Sequence, residues 1–143
     1  MTVKFPAAGG YYHIGDAFIY LAGACLSFPY ALIAGAIGGS FADLFSGYAV
    51  YMLPTFIIKA SIASCFTNKK TLILCRRNFI AILAATVITV GGYYITEAVI
   101  IGSLAGALAA VYGNTGQAVA SAAVFIAAGA AADKANIRDK IFK

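Results

Sequence analysis

Residues 79–101 read FIAILAATVITVGGYYITEAVII, an apolar run whose only charged member is Glu97. About 20 apolar residues in a helix cross the ~30 Å of hydrocarbon in a bilayer, so this stretch predicts a membrane-spanning helix. Its residues do not alternate as barrel strands do. A segment in lipid must also satisfy its own backbone polar groups, which a helix does. Outward from this run, residues 113–132 predict a second span and residues 52–66 a shorter one that carries Lys59. The stretch 17–45 is too long for one ordinary span. Pro29 stands in its middle, and a ring without an N–H favours the opening of a new helix, which divides it into 16–27 and 29–45. The expected fold class is an all-α integral membrane protein, a bundle of about five transmembrane helices in a single domain over residues 1–143. Residues 1–15 form an outer N-terminal segment and residues 133–143 a cytoplasmic tail.

Composition points the same way: 62% of the chain is hydrophobic and 10% charged, far from a soluble domain. Ala and Gly are abundant, and close contact between small residues is what associates helices in lipid; Gly35 and Gly39, four apart, form one such surface. The net charge of +5 does not imply nucleic acid, because the bases fall in two short clusters. One is Lys69, Lys70, Arg76 and Arg77; the other is Lys134, Arg138, Lys140 and Lys143. Both read as cytoplasmic anchors. Cys25, Cys65 and Cys75 lack the spacing of a zinc site or a redox pair and read as reduced thiols. Residues 1–10 hold Lys4 and Pro6 but no apolar core for a cleavable signal.

With both basic clusters in the cytoplasm, the crossings count back to an N-terminus outside. This gathers the unusual polar residues at the outer end. Asp43, Lys59 and Glu97 are ionisable groups within predicted helices, where insertion costs about 2.5–3.5 kcal/mol each and the side chain faces the bundle interior. Asp43, near Tyr48 and Tyr51, reads equally as a ligand acceptor or as an interfacial residue at a helix end. Lys59 is too deep to snorkel easily and is expected in a structural ion pair with a neighbouring helix. Glu97 follows Tyr93 and Tyr94 at helical spacing and is expected to contact a ligand. Asn114 and Gln117 join the outer set. For His13 and Asp16, three apart, helix capping by Asp16 is the default, with ligand contact as the sharper reading. One His and no clustered ligands predict no metal and no cofactor. Neither a nucleophile with its base nor a phosphate loop is present, so no enzymatic activity is expected. Tyrosines near the outer end form either an interfacial belt or a surface for a flat heterocycle.

The strings His13-Ile14-Gly15-Asp16-Ala17-Phe18 and Leu21-Ala22-Gly23-Ala24 resemble the second helix of the substrate-binding S components of energy-coupling factor (ECF) vitamin transporters. Residues 34–44, AGAIGGSFADL, resemble the third helix, and Gly47-Tyr48 through Ile57-Ile58-Lys59-Ala60 the start of the fourth. Tyr93, Tyr94 and Glu97, then Gly113, Asn114 and Gln117, resemble the fifth and sixth. The branch is the riboflavin-type one, which also includes proposed carriers of hydroxymethylpyrimidine and pyridoxine-like compounds. The resemblance implies a plasma-membrane protein that binds a small-molecule vitamin or precursor near the outer face. It also implies work with a transmembrane coupling subunit and two cytoplasmic ATPase subunits, the S component toppling in the bilayer to release its load inward. The family's first helix, with its Ala-xxx-Ala coupling surface, is expected before the Gly-Asp segment, so the chain reads as truncated or begun at an internal start. The rival reading is a small structural or assembly subunit of a membrane complex with no ligand of its own.

Overall fold

Leu26 and Ser27 adopt extended backbone between two helices, and the Ser27 carbonyl accepts the N–H groups of Tyr30 and Ala31 at 3.0 and 3.1 Å. Pro29 lies in the first turn of the second helix, where its missing N–H leaves no bond unmade. The computed structural model describes the backbone of residues 2–4 and 11–137 and the side chains of 14–137. Five α-helices follow one another: α1 Gly15–Cys25, α2 Phe28–Phe45, α3 Met52–Cys65, α4 Arg76–Ile101 and α5 Leu108–Lys134. A 3-10 turn, Ala49–Tyr51, leads into α3. Two short strands, β1 Thr2–Lys4 and β2 Tyr11–His13, pair antiparallel with Thr2 opposite His13, a local pairing within the segment expected to precede the first helix.

The helices of the structure extend beyond the apolar runs at two places. α4 begins at Arg76, ahead of Phe79, because Asn78 is buried and bonded to the preceding connection. α5 begins at Leu108 and runs through Gly113; one glycine costs a helix only about 1 kcal/mol, and the neighbouring alanines favour it. Gly102 ends α4 in the left-handed conformation, φ 72°, where glycine carries no Cβ penalty.

α2, α4 and α5 are long and apolar enough to cross a membrane, whereas α1 and α3 are shorter. At ~1.5 Å per residue, α4 and α5 reach about 40 Å, α3 about 21 Å and α1 about 16 Å. The long helices show apolar surface outward: only 22% of the α4 window is buried, and Leu83, Val87, Ile95 and Val99 are each more than half exposed. In water such a surface would be untenable; in lipid it is solvated, and the protein is membrane-embedded. The short helices carry two of the buried ionisable groups, Asp16 on α1 and Lys59 on α3, and Asp43 lies buried near the end of α2.

Packing runs α2 on α3, α3 on α4, α4 on α5 and α5 on α1, with α1 also against α2 and α3. Small residues set the close approaches. A Cβ on Gly35 would meet Ile19 Cγ2 at 3.1 Å, one on Gly92 would meet Ile58 at 2.8 Å, and one on Gly129 would meet Leu74 at 2.8 Å. In the core Tyr20 stacks on Phe66, centroids 4.8 Å apart, and Phe125 meets both rings edge to face at 5.9 and 5.3 Å.

The end that holds Lys69, Lys70, Arg76, Arg77 and Lys134 is tied by a polar knot. Asn78 accepts the Thr67 N–H at 2.9 Å and donates to the Thr67 and Ile73 carbonyls. Asp133 on α5 accepts the N–H groups of Ile73 and Leu74 at 2.8 and 2.9 Å. The three cysteines lie at this same end, half-buried and in no disulfide among the described residues. Arg138, Lys140 and Lys143 lie outside the described residues.

Candidate functional site

The opposite end of the bundle is polar, and its centre is Lys59. The side chain leaves α3 across the face of Gly39, where a Cβ would stand 2.7 Å from Lys59 Cγ; glycine is required there for the stem to pass. The Lys59 ammonium donates to Asp16 Oδ1 at 2.6 Å and lies 5.1 Å from the centroid of the Tyr93 ring, a cation–π arrangement. The other carboxylate oxygen of Asp16 accepts from Gln117 Nε2 at 3.0 Å. Tyr93 in turn shares a hydrogen bond with Thr55 at 3.0 Å. One network therefore joins α1, α3, α4 and α5. Asp16 is wholly buried and Lys59 nearly so, so neither charge is left to hydrocarbon alone.

Asp16 does not cap α1. Ile14 holds the N-cap position with no side-chain bond, because both carboxylate oxygens are directed inward at donors from two other helices.

A second cluster lies beside the first, toward the ends of α2 and α4. The Tyr51 hydroxyl donates to Glu97 Oε2. Tyr48 meets Tyr51 edge to face, centroids 6.2 Å apart. Asp43, buried near the end of α2, lies within electrostatic range of both Tyr51 and Tyr93. Ser40 donates to the Ala36 and Met52 carbonyls and fixes the turn into α3 against α2. Two carboxylates and two phenols so converge at a partly open corner, a set able to accept hydrogen bonds from a ligand and to face a flat ring.

The structure thus brings Asp43, Tyr48, Tyr51 and Glu97 together, and separately ties Asp16, Lys59 and Gln117. Asn114 donates to the Ala110 carbonyl of its own helix at 2.9 Å. The Tyr94 hydroxyl points to the Leu104 carbonyl, 3.3 Å away, and away from Glu97. The side chain of His13 lies outside those described. Thr55 and Tyr93 complete the network although neither stood among the expected site residues. Both were within reach of the sequence, since Thr55 precedes Lys59 and Tyr93 precedes Glu97 by four residues, the spacing of one helix face. Among the described residues no group of His, Cys, Asp and Glu is placed to hold a metal.

Apolar outer surfaces around an internal ion pair and a corner of acids and phenols define a helical, membrane-embedded protein. The family model described as "ECF-type riboflavin transporter, S component" matches residues 1–134, and the chain belongs to that family. No curated protein and no solved structure matched.

Proposed function

We propose that this protein captures a flat heterocyclic vitamin or vitamin precursor for an ECF-type importer, at the corner formed by Asp43, Tyr48, Tyr51 and Glu97, and that this corner faces outward. The observation that carries the reading is the segregation of the described residues. Asp43 and Glu97 gather with the phenols of Tyr48 and Tyr51 at one end, while Lys69, Lys70, Arg76, Arg77 and Lys134 stand at the other, where Asp133 is taken up by loop amides. The basic end belongs in the cytoplasm by the positive-inside rule, which also puts the C-terminus there. Capture from outside then takes place at the acidic end. Partners in this reading are a transmembrane coupling subunit and two cytoplasmic ATPases, which supply the ATP hydrolysis. The chain itself acts as a binding subunit and not as an enzyme.

Glu97 and Tyr51 are the recognising pair: the carboxylate accepts from a ring N–H or a hydroxyl, and the phenol gives the ring an aromatic face. Asp16, Lys59 and Gln117 bond to one another and hold the helices beneath this corner.

The test is a titration of purified protein with riboflavin, followed by quenching of flavin fluorescence, with hydroxymethylpyrimidine, pyridoxine, thiamine and pantothenate screened by thermal shift. A saturating ligand raises the melting temperature. Glu97→Gln is expected to weaken the ligand by about 1–3 kcal/mol, the loss of a charged hydrogen bond. A protein that binds none of the five would favour the structural-subunit reading.

A further inference from the structure

Among the described residues three fully buried hydroxyls have no hydrogen-bond partner: Tyr20 on α1, Thr89 on α4 and Ser121 on α5, each at 0% exposure. Their positions are related. The Lys59 ammonium gathers Asp16, directly, Gln117 through Asp16, and the ring of Tyr93. Tyr20 is four residues after Asp16, Ser121 four after Gln117, and Thr89 four before Tyr93. α1 and α5 run away from the acidic end while α4 runs toward it, so each of these steps is one helical turn in the same direction, about 5.4 Å deeper. The edge-to-face contact of Tyr20 with Phe125, one turn beyond Ser121, holds α1 against α5 near this depth. By these steps Tyr20, Thr89 and Ser121 stand at one level, a turn beneath the ion-pair residues, on three different helices.

Burial of a hydroxyl without a partner is unfavourable, and a serine or threonine in a helix ordinarily returns its proton to the carbonyl one turn back, as Thr86 and Thr96 do on α4. Thr89, on the same helix, does not. Since none of the three has accessible surface, a molecule reaches them only if α1 parts from the α4 and α5 pair. Such opening exchanges three unsatisfied groups for satisfied ones, so a hydrogen-bonding guest gains affinity there at the expense of the packed state.

We propose that this layer is a cryptic floor of the binding site, which opens when ligand enters and hydrogen-bonds the polar edge of the heterocycle through Tyr20, Thr89 and Ser121. The inference rests on the ligand-capture reading above and adds residues to it. Hydroxyls both donate and accept, so the floor suits a ring edge that alternates N–H and C=O groups, as in a pyrimidine-dione, and not a hydrocarbon or a carboxylate.

The experiment compares the wild type with Tyr20→Phe, Thr89→Val and Ser121→Ala, each of which deletes a hydroxyl and keeps the shape, by thermal melting without ligand and by riboflavin titration. Opposite signs are expected. Melting temperature rises in the ligand-free variants because an unsatisfied group has gone, while riboflavin affinity falls about three- to tenfold in each for one lost hydrogen bond. A general packing defect would instead lower both. Riboflavin binding by the wild type with affinity unchanged in all three variants overturns this proposal and leaves the capture reading intact. A wild type that binds no riboflavin overturns the flavin assignment of both.

Discussion

Replacing Lys59 by Met removes the ammonium while it keeps most of the stem's length and its passage over Gly39. Asp16 is then left wholly buried with Gln117 as its one remaining donor. Removing one partner of a buried pair costs about 3–5 kcal/mol, because the survivor is an uncompensated charge. At roughly 3 °C per kcal/mol for a chain of this size, the melting temperature should fall by about 10–15 °C. The companion Asp16→Asn in the Lys59→Met background removes the orphan charge and keeps an acceptor for Gln117. The double variant should therefore recover most of the loss, with a coupling energy of about 2 kcal/mol or more. Far-ultraviolet circular dichroism in detergent micelles reads the transition, and the reaction of Cys25, Cys65 and Cys75 with a fluorogenic maleimide gives a second probe, since none of the three is in a disulfide among the described residues. Lys59→Met within about 1 kcal/mol of the wild type would refute the argument. So would a double variant no more stable than the single one, since the cost would then lie in lost packing and not in a stranded carboxylate.

Two further outcomes are expected. Gly39→Ala drives a methyl to 2.7 Å from Lys59 Cγ and 3.1 Å from Thr55 Cγ2, and because the lysine is anchored it should destabilise the bundle by about 1–3 kcal/mol in the same melt, whereas Gly38→Ala, which meets nothing within 4 Å, should not. In cells, an impermeant maleimide should label cysteines introduced at Gly47 and Tyr112, in a background without native cysteines, and should not label one at Lys70; the reverse pattern would invert the orientation proposed for the bundle.

The helical segments were legible because their causes are local. Pro29 cannot continue a helix from Ser27, and uninterrupted apolar runs of this length have no other stable form in lipid. Rotation of each helix about its axis was not legible. α4 is apolar on nearly every side, so polarity does not distinguish its inward face. What turns Tyr93 inward and Tyr94 toward Leu104 is the seating of Gly92 on Ile58, a contact between residues far apart in sequence. The default for Asp16 failed to anticipate its surroundings for a similar reason. Capping is the local use of an aspartate near a helix start, and only the folded bundle brings Lys59 and Gln117 to it. The orphan hydroxyls are least legible of all, since an unmade bond leaves no pattern in a sequence.

The knot around Asp133 bears on how the protein comes to be made. The amides of Ile73 and Leu74 wait for a carboxylate about 60 residues further along the chain, and Asp16 waits for an amide 101 residues away. Both partners belong to α5, one near each of its ends. During synthesis the earlier helices can enter the bilayer one after another, but neither the acidic nor the basic end can close until the last of the five has been inserted. A ribosome that stops short of α5 thus leaves a chain in which Asp16 keeps Lys59 but lacks its Gln117 donor at one side, with bare loop amides at the other.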